Sequence, residues 1–249
     1  MRSEQKTSVK ATYILLAATI IGFVIEIGIG IEAAREYVLS RKNLLESGYV
    51  LVTYGFLHSG FTHLAGNLAS LFLQGKLLEK TVGSVKMAAI YLGGMIGGGV
   101  TWLIFNAGVT VSGASAATSA VMAANMVISP GKSLIDEVPL IRDLPLPGLR
   151  GLFNVSLWSA VAILVNIELA LEGTSAATLA HLGGMAAGTS SVFLFTEKAS
   201  YRGIAATSGF AVALSTLVLA APGSLLWTAS IAAVALLILA VRRTRKRSV

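Results

Sequence analysis

The sequence predicts an all-α polytopic membrane protein with about eight transmembrane helices. Three observations carry that expectation. Residues of the AVILMFWYC set make up 55% of the 249 positions and charged residues only 12%, against about 25% charged in a soluble domain. Mean hydropathy is strongly positive. Apolar runs near the length needed to cross a bilayer, about twenty residues, recur from one end of the chain to the other.

Taken in order, the expected spans are 11–31, 57–78, 85–106, 115–129, 152–172, 176–196, 203–221 and 224–241. The first follows Lys6 and Lys10 and resembles a signal peptide, but its run of about twenty residues exceeds the usual 7–15 of a cleaved h-region. No A-x-A-like site follows it, so it reads as a retained span. Pro222-Gly223 breaks the last two spans into a short hairpin. Between the first and second spans, 32–56 mixes Arg35, Glu36, Tyr37, Leu39 and Leu44, a pattern for short helices lying on the membrane surface. The loop 130–151 carries Pro139, Pro145 and Pro147 and is expected to be irregular and cytoplasmic.

Charge sets the orientation. With the N-terminus in the cytoplasm and alternating spans, the outside loops hold only Arg35, Arg41 and Lys42 of nineteen basic residues. That bias is the positive-inside signature. Both termini are then cytoplasmic. Five basic residues, Arg242, Arg243, Arg245, Lys246 and Arg247, follow the last apolar run. They read as a cytoplasmic flank, so the net charge of +7 does not imply a nucleic-acid partner. The expected division is a catalytic membrane domain over 1–200 and a helical hairpin with a basic tail over 201–249.

With no cysteine in the chain, disulfides, thiolate metal sites and cysteine nucleophiles are excluded. All three histidines, His58, His63 and His181, fall within expected spans. Ionisable groups in a bilayer are costly and usually functional. Counting a rise of about 1.5 Å per residue from the outer face puts His63 roughly 9 Å deep and His181 roughly 8 Å deep. The fourth span is short, about fifteen residues, and starts below the surface with Ser115 at its N-terminus. Three helices thus deliver Ser115, His181 and His63 to one depth. Neutral imidazole is a suitable base for a serine hydroxyl near pH 7, which makes His181 the candidate base. His63 and Asn67, spaced i, i+4, share a helix face and can stabilise an oxyanion together with the Ser115 N–H. No acidic residue is evidently placed as a third member, although Glu168 and Glu172 lie near the outer end of the fifth span. Glu26, inside the first span, has no evident role. The Gly184–Gly188 pair and the small face Ser115–Ser119 allow close approach of the fourth and sixth helices.

At these residues the chain resembles the rhomboid intramembrane serine proteases. Its second span carries the family's histidine, histidine and asparagine pattern as His58, His63 and Asn67, followed by the charged turn LLEKTVGS with Glu79. The GxSx nucleophile motif is matched by Gly113, Ala114 and Ser115, and the AHxxGxxxG motif by Ala180, His181, Gly184 and Gly188. The resemblance implies a rhomboid-like six-helix core within residues 11–196, with two extra C-terminal spans, and an active site open to the extracellular side. It implies Ser115 as nucleophile, His181 as general base and His63 and Asn67 as oxyanion donors. His58 is implied to be structural, bracing the first outside loop. No metal or cofactor is implied. The implied partners are transmembrane protein substrates, cut near the membrane surface within the lipid bilayer. The minimal, prokaryotic-looking chain makes a plasma membrane the expected location.

Four features depart from the family pattern. Ala116 replaces the usual glycine after the serine, Ser119 replaces a frequent aromatic, the Trp-Arg pair of the first loop is absent, and the spans over 203–241 are additional. The competing expectation is a non-proteolytic rhomboid-like protein that binds transmembrane clients. Such relatives generally lack the serine or the histidine, and this chain keeps both. A small transporter would be supported by repeated halves, and no convincing repeat is present.

Overall fold

The computed structural model describes residues 9–105, 110–138, 147–159, 161–162 and 177–195. Every named element among them is helical, with only two isolated β-bridges. The spans expected at 203–221 and 224–241, the basic tail, the domain boundary near 200 and Glu168 and Glu172 lie outside the described residues.

The first helix, α1 (Lys10–Ile29), is apolar all round and leaves Ile14, Ile20, Ile21, Val24, Ile25 and Ile27 exposed, the distribution of a lipid-facing helix. Its N-terminus is fixed by a distant carboxylate. Glu79, fully buried, accepts the N–H groups of Ala11 and Thr12 at 2.8 Å each and the Thr12 hydroxyl at 2.6 Å. The Ser84 hydroxyl adds a fourth hydrogen bond at 2.5 Å. Orphan donors at a helix start need such an acceptor. Short helices follow, as the composition of 32–56 predicts: α2 (Ile31–Ala34), α3 (Arg41–Glu46) and α4 (Val50–Thr53), then a 3₁₀ turn over Tyr54–Phe56.

The second span differs from its expected limits. Residues 57–60 are not helical, and the helix begins at Phe61. It runs as α5 (Phe61–Ser70), a π-helical turn over Leu71–Gly75, and α6 (Lys76–Val82). A buried amide pair sits at the π turn: Asn125 donates from Nδ2 to the Gln74 backbone carbonyl at 2.8 Å and to Gln74 Oε1 at 2.9 Å. A side chain inserted into the helical ladder is a recognised source of such a bulge.

The helices α7 (Ser84–Phe105), α8 (Ser115–Ile128) and α10 (Ala177–Phe195) stand where the third, fourth and sixth spans are expected. They pack on one another through small residues. Gly184 and Gly188 of α10 meet the backbone of Ala116 and Ala120 in α8, and Gly97 of α7 meets Ala187 of α10. Among the described residues, α1 and α7 are long and apolar enough to cross a membrane, and α8 is a shorter apolar helix.

Of the loop 130–151, residues 130–138 and 147–151 are described, and they are partly helical where an irregular chain is expected. A 3₁₀ turn over Leu134–Glu137 is held by Lys80 Nζ to Glu137 Oε2 at 2.6 Å, and by backbone pairing of Leu134 with Phe153. A short helix, α9 (Pro147–Leu152), then starts on Pro147, where a fixed φ and a missing N–H suit the first helical position.

Candidate active site

The site is built around the turn that leads into α8. Leu39 and Val111 exchange backbone hydrogen bonds at 3.1 and 3.0 Å. The Gly113 N–H donates to the Tyr54 carbonyl at 2.8 Å, and the Ala114 N–H points to His58 Nε2 at 3.4 Å. Gly113 has φ +117°, and the His63 ring fills the space a side chain there would need. Only glycine satisfies both conditions. Ser115 is the first residue of α8, and the preceding Ala114 provides no side-chain cap. The first-turn N–H groups therefore point out of the helix start without that acceptor.

His181 Nε2 lies 2.7 Å from Ser115 Oγ across the α8–α10 interface. The glycine contacts explain why two helices can come this close. Gly184 is one turn from His181, and it sits against the backbone of Ala116, the neighbour of Ser115. One of the two close backbone approaches is thus beside the Ser–His pair; the other is a turn further on, at Gly188 and Ala120.

His63 and Asn67 are on the first two turns of α5. Because the helix starts at Phe61 rather than Leu57, a helical rise counted from Leu57 does not fix the depth of His63, and side-chain contacts define its position in the site. Its Nδ1 is 3.2 Å from the Ser59 hydroxyl. If Ser59 donates, the ring proton resides on Nε2, the nitrogen beside Gly113. Asn67 is buried and donates from Nδ2 to the His63 carbonyl at 3.1 Å. The Thr118 hydroxyl is 3.1 Å from the Ser115 carbonyl and, more weakly, 3.4 Å from Asn67 Oδ1. His58 is buried, its ring edge-on to that of His63 with centroids 5.1 Å apart. It thereby touches both the α5 start and the turn before Ser115.

Comparison with protein-family models matches the Rhomboid domain over residues 46–198, more than half of the chain. The chain belongs to the rhomboid family. No curated protein matches the sequence. Rhomboid domains are embedded in membranes, and the family consists generally of intramembrane serine proteases, with some inactive members. This rhomboid protein is accordingly a membrane protein. The matched stretch contains His58, His63, Asn67, Ser115 and His181, while α1 precedes it.

Two departures of this rhomboid protein acquire a physical account. The Ala116 methyl is directed at Gly98 of α7, whose missing side chain leaves room for it, while the Ala116 backbone faces Gly184. The extra methyl is therefore housed without spreading α8 from α10. Ser119, half-buried, stands one turn beyond Ser115 and offers no ring to stack on His181. Among the described residues no group of three or more His, Asp or Glu comes together to hold a metal ion.

Sequence reasoning missed three contributors: Glu26, Ser59 and Thr118. Glu26 alone gave a signal, as an acid within an apolar span. Its partner is a backbone group, the His58 N–H, which donates to Glu26 Oε2 at 2.7 Å. No pattern of residue types announces such a contact.

Proposed function

We propose that this rhomboid protein is an intramembrane serine endopeptidase, hydrolysing peptide bonds in or near transmembrane segments of protein substrates. The observation that carries this reading is the 2.7 Å contact between Ser115 Oγ and His181 Nε2. A serine hydroxyl becomes a competent nucleophile when a base within hydrogen-bond reach takes its proton.

In this mechanism Ser115 Oγ attacks the scissile carbonyl carbon as its proton passes to His181 Nε2. The tetrahedral oxyanion is met by the Ser115 N–H, by the His63 Nε2–H and by the second amide N–H of Asn67. Preorganised donors in a site shielded from water are usually the largest catalytic contribution. Protonated His181 then gives its proton to the leaving amine, the C–N bond breaks, and an acyl ester on Ser115 remains. Water, deprotonated by His181, hydrolyses that ester and restores the pair. The positive end of the α8 dipole favours the same charge. The charge bias of the loops supports an orientation with both termini cytoplasmic and the site opening to the opposite, extracellular side; a plasma membrane is the proposed location.

The test is cleavage of a model transmembrane substrate by purified protein in lipid, comparing wild type with Ser115→Ala and His181→Ala. Loss of cleavage in both folded variants is expected. Cleavage surviving Ser115→Ala would refute the mechanism, and an inert wild type across several substrates would favour a client-binding role.

A further inference from the structure

Glu26 is the single acidic residue of α1, and it lies in an apolar span before the stretch matched by the family model. An ionisable group in that setting is costly unless it has a specific partner. Its partner is the N–H of His58, in the non-helical stretch 57–60, at 2.7 Å. A backbone donor outside any helix needs an acceptor in a membrane, where water is scarce.

A second contact lies on the same face of α1. Gly22 is one turn before Glu26, and a Cβ there would stand 2.7 Å from the Phe56 carbonyl oxygen and 2.9 Å from the Phe56 Cβ. Residues i and i+4 share one helix face, so α1 seats the 56–58 segment at two points. That same segment region holds the turn before the serine, through Tyr54 to the Gly113 N–H at 2.8 Å and His58 Nε2 to the Ala114 N–H at 3.4 Å. A displacement of residue 58 is thus handed directly to the residue before Ser115.

We propose that Glu26 is a positioning residue: by fixing the His58 backbone it fixes the Gly113–Ser115 turn and the ring of His63 against it. The inference rests on the protease reading for its catalytic consequence, and on hydrogen-bond geometry for its structural part. Glu26 does not touch the reacting atoms. Its effect is exerted on the orientation of Ser115 and of the oxyanion donors, where a shift of about 1 Å can cost about a hundredfold in rate.

The experiment uses the full chain in phosphatidylethanolamine–phosphatidylglycerol nanodiscs, with Glu26→Leu, Glu26→Gln and Gly22→Ala. Amide hydrogen exchange is followed over 54–60 and 110–115, with α7 and α10 as internal references. The rate of Ser115 labelling by a fluorophosphonate probe is measured alongside. Glu26→Leu is expected to speed exchange in both segments about tenfold or more, because a backbone donor loses its acceptor, and to slow labelling to a similar degree. Glu26→Gln keeps an oxygen acceptor and stays within about threefold of wild type. Gly22→Ala pushes the same segment from the same helix and is expected to loosen both regions; it decides the matter if Glu26→Leu does not fold. Unchanged exchange over 110–115, or, where the wild type is labelled, unchanged labelling beside faster exchange over 54–60, would overturn the proposal, because Glu26 would then only satisfy a backbone donor. Equal loosening of α7 and α10 would also overturn it, by showing general destabilisation. The exchange arm is independent of catalysis: a wild type that the probe never labels sinks the protease reading, while loosening of both segments still bears out the link.

Discussion

Gly184→Ala is the sharpest test of how packing sets the Ser–His geometry. A Cβ at this position would lie 2.8 Å from the Ala116 carbonyl carbon and 3.1 Å from its Cα, with the carbonyl oxygen nearer still. Carbon atoms in contact settle at about 3.5–4.0 Å. These neighbours are backbone atoms of a buried helix and cannot swing aside as a side chain can. Helices α8 and α10 must therefore part by about 1 Å beside the site. The Ser115–His181 contact, now 2.7 Å, would lengthen to about 3.5 Å, beyond useful hydrogen-bond range. Overpacking of this kind costs about 1–3 kcal/mol of stability, and a misplacement of about 1 Å costs about a hundredfold in rate. The assay is cleavage of a fluorogenic transmembrane substrate in liposomes, with thermal unfolding of the same sample. Gly28→Ala is the control, because a Cβ there meets nothing within 4 Å. Wild-type cleavage and melting for Gly184→Ala would refute the reasoning, since the interface would have to yield without moving the pair.

Three further outcomes are expected. Ala116→Gly removes a buried methyl from its notch at Gly98 and adds a flexible residue to α8; melting should fall by the equivalent of about 1 kcal/mol, with no more than about a twofold gain in cleavage rate. Asn125→Leu strips Gln74 of its donor at two oxygens, so thermal unfolding should register a loss of about 1–3 kcal/mol. Glu79→Ala leaves two N–H groups and two hydroxyls without their acceptor, and should cost more than about 3 kcal/mol in a denaturation assay. Glu79→Gln, which retains one oxygen acceptor, should cost visibly less.

Much of this was legible because spans and motifs are local. The runs that form α1, α7 and α10 are long and apolar, that of α8 is short, and all are bounded by charge or glycine, so their limits fall within a few residues of expectation. The second span was misjudged at its start because Leu57 and Phe56 extend the apolar run, while the backbone of 57–60 instead serves the site through loop contacts. Hydropathy reports solvent preference and not helicity. The π turn was invisible for a related reason: Gln74 and Asn125 are 51 residues apart, and neither alone predicts a bulge. His181 and Ser115 could be matched by depth and motif order, whereas Ser59, Thr118 and Glu26 act through a hydroxyl or a backbone group that no spacing rule singles out. The compensation of Ala116 by Gly98 likewise needed three helices in place before it could be seen.

The pairing of Leu39 with Val111 and of Tyr54 with Gly113 also bears on how the molecule comes into being. The turn before Ser115 takes its shape from chain made long before it, and His181 is synthesised 66 residues after the serine. Contacts so distant in sequence form late, because loop closure must precede them. A partly inserted chain therefore holds Ser115 without His181, and the contact between them arises only when the last of these helices docks. Under the proposed protease activity, biogenesis would itself act as a safety catch, keeping an unfinished hydrolase harmless to the membrane in which it is being assembled.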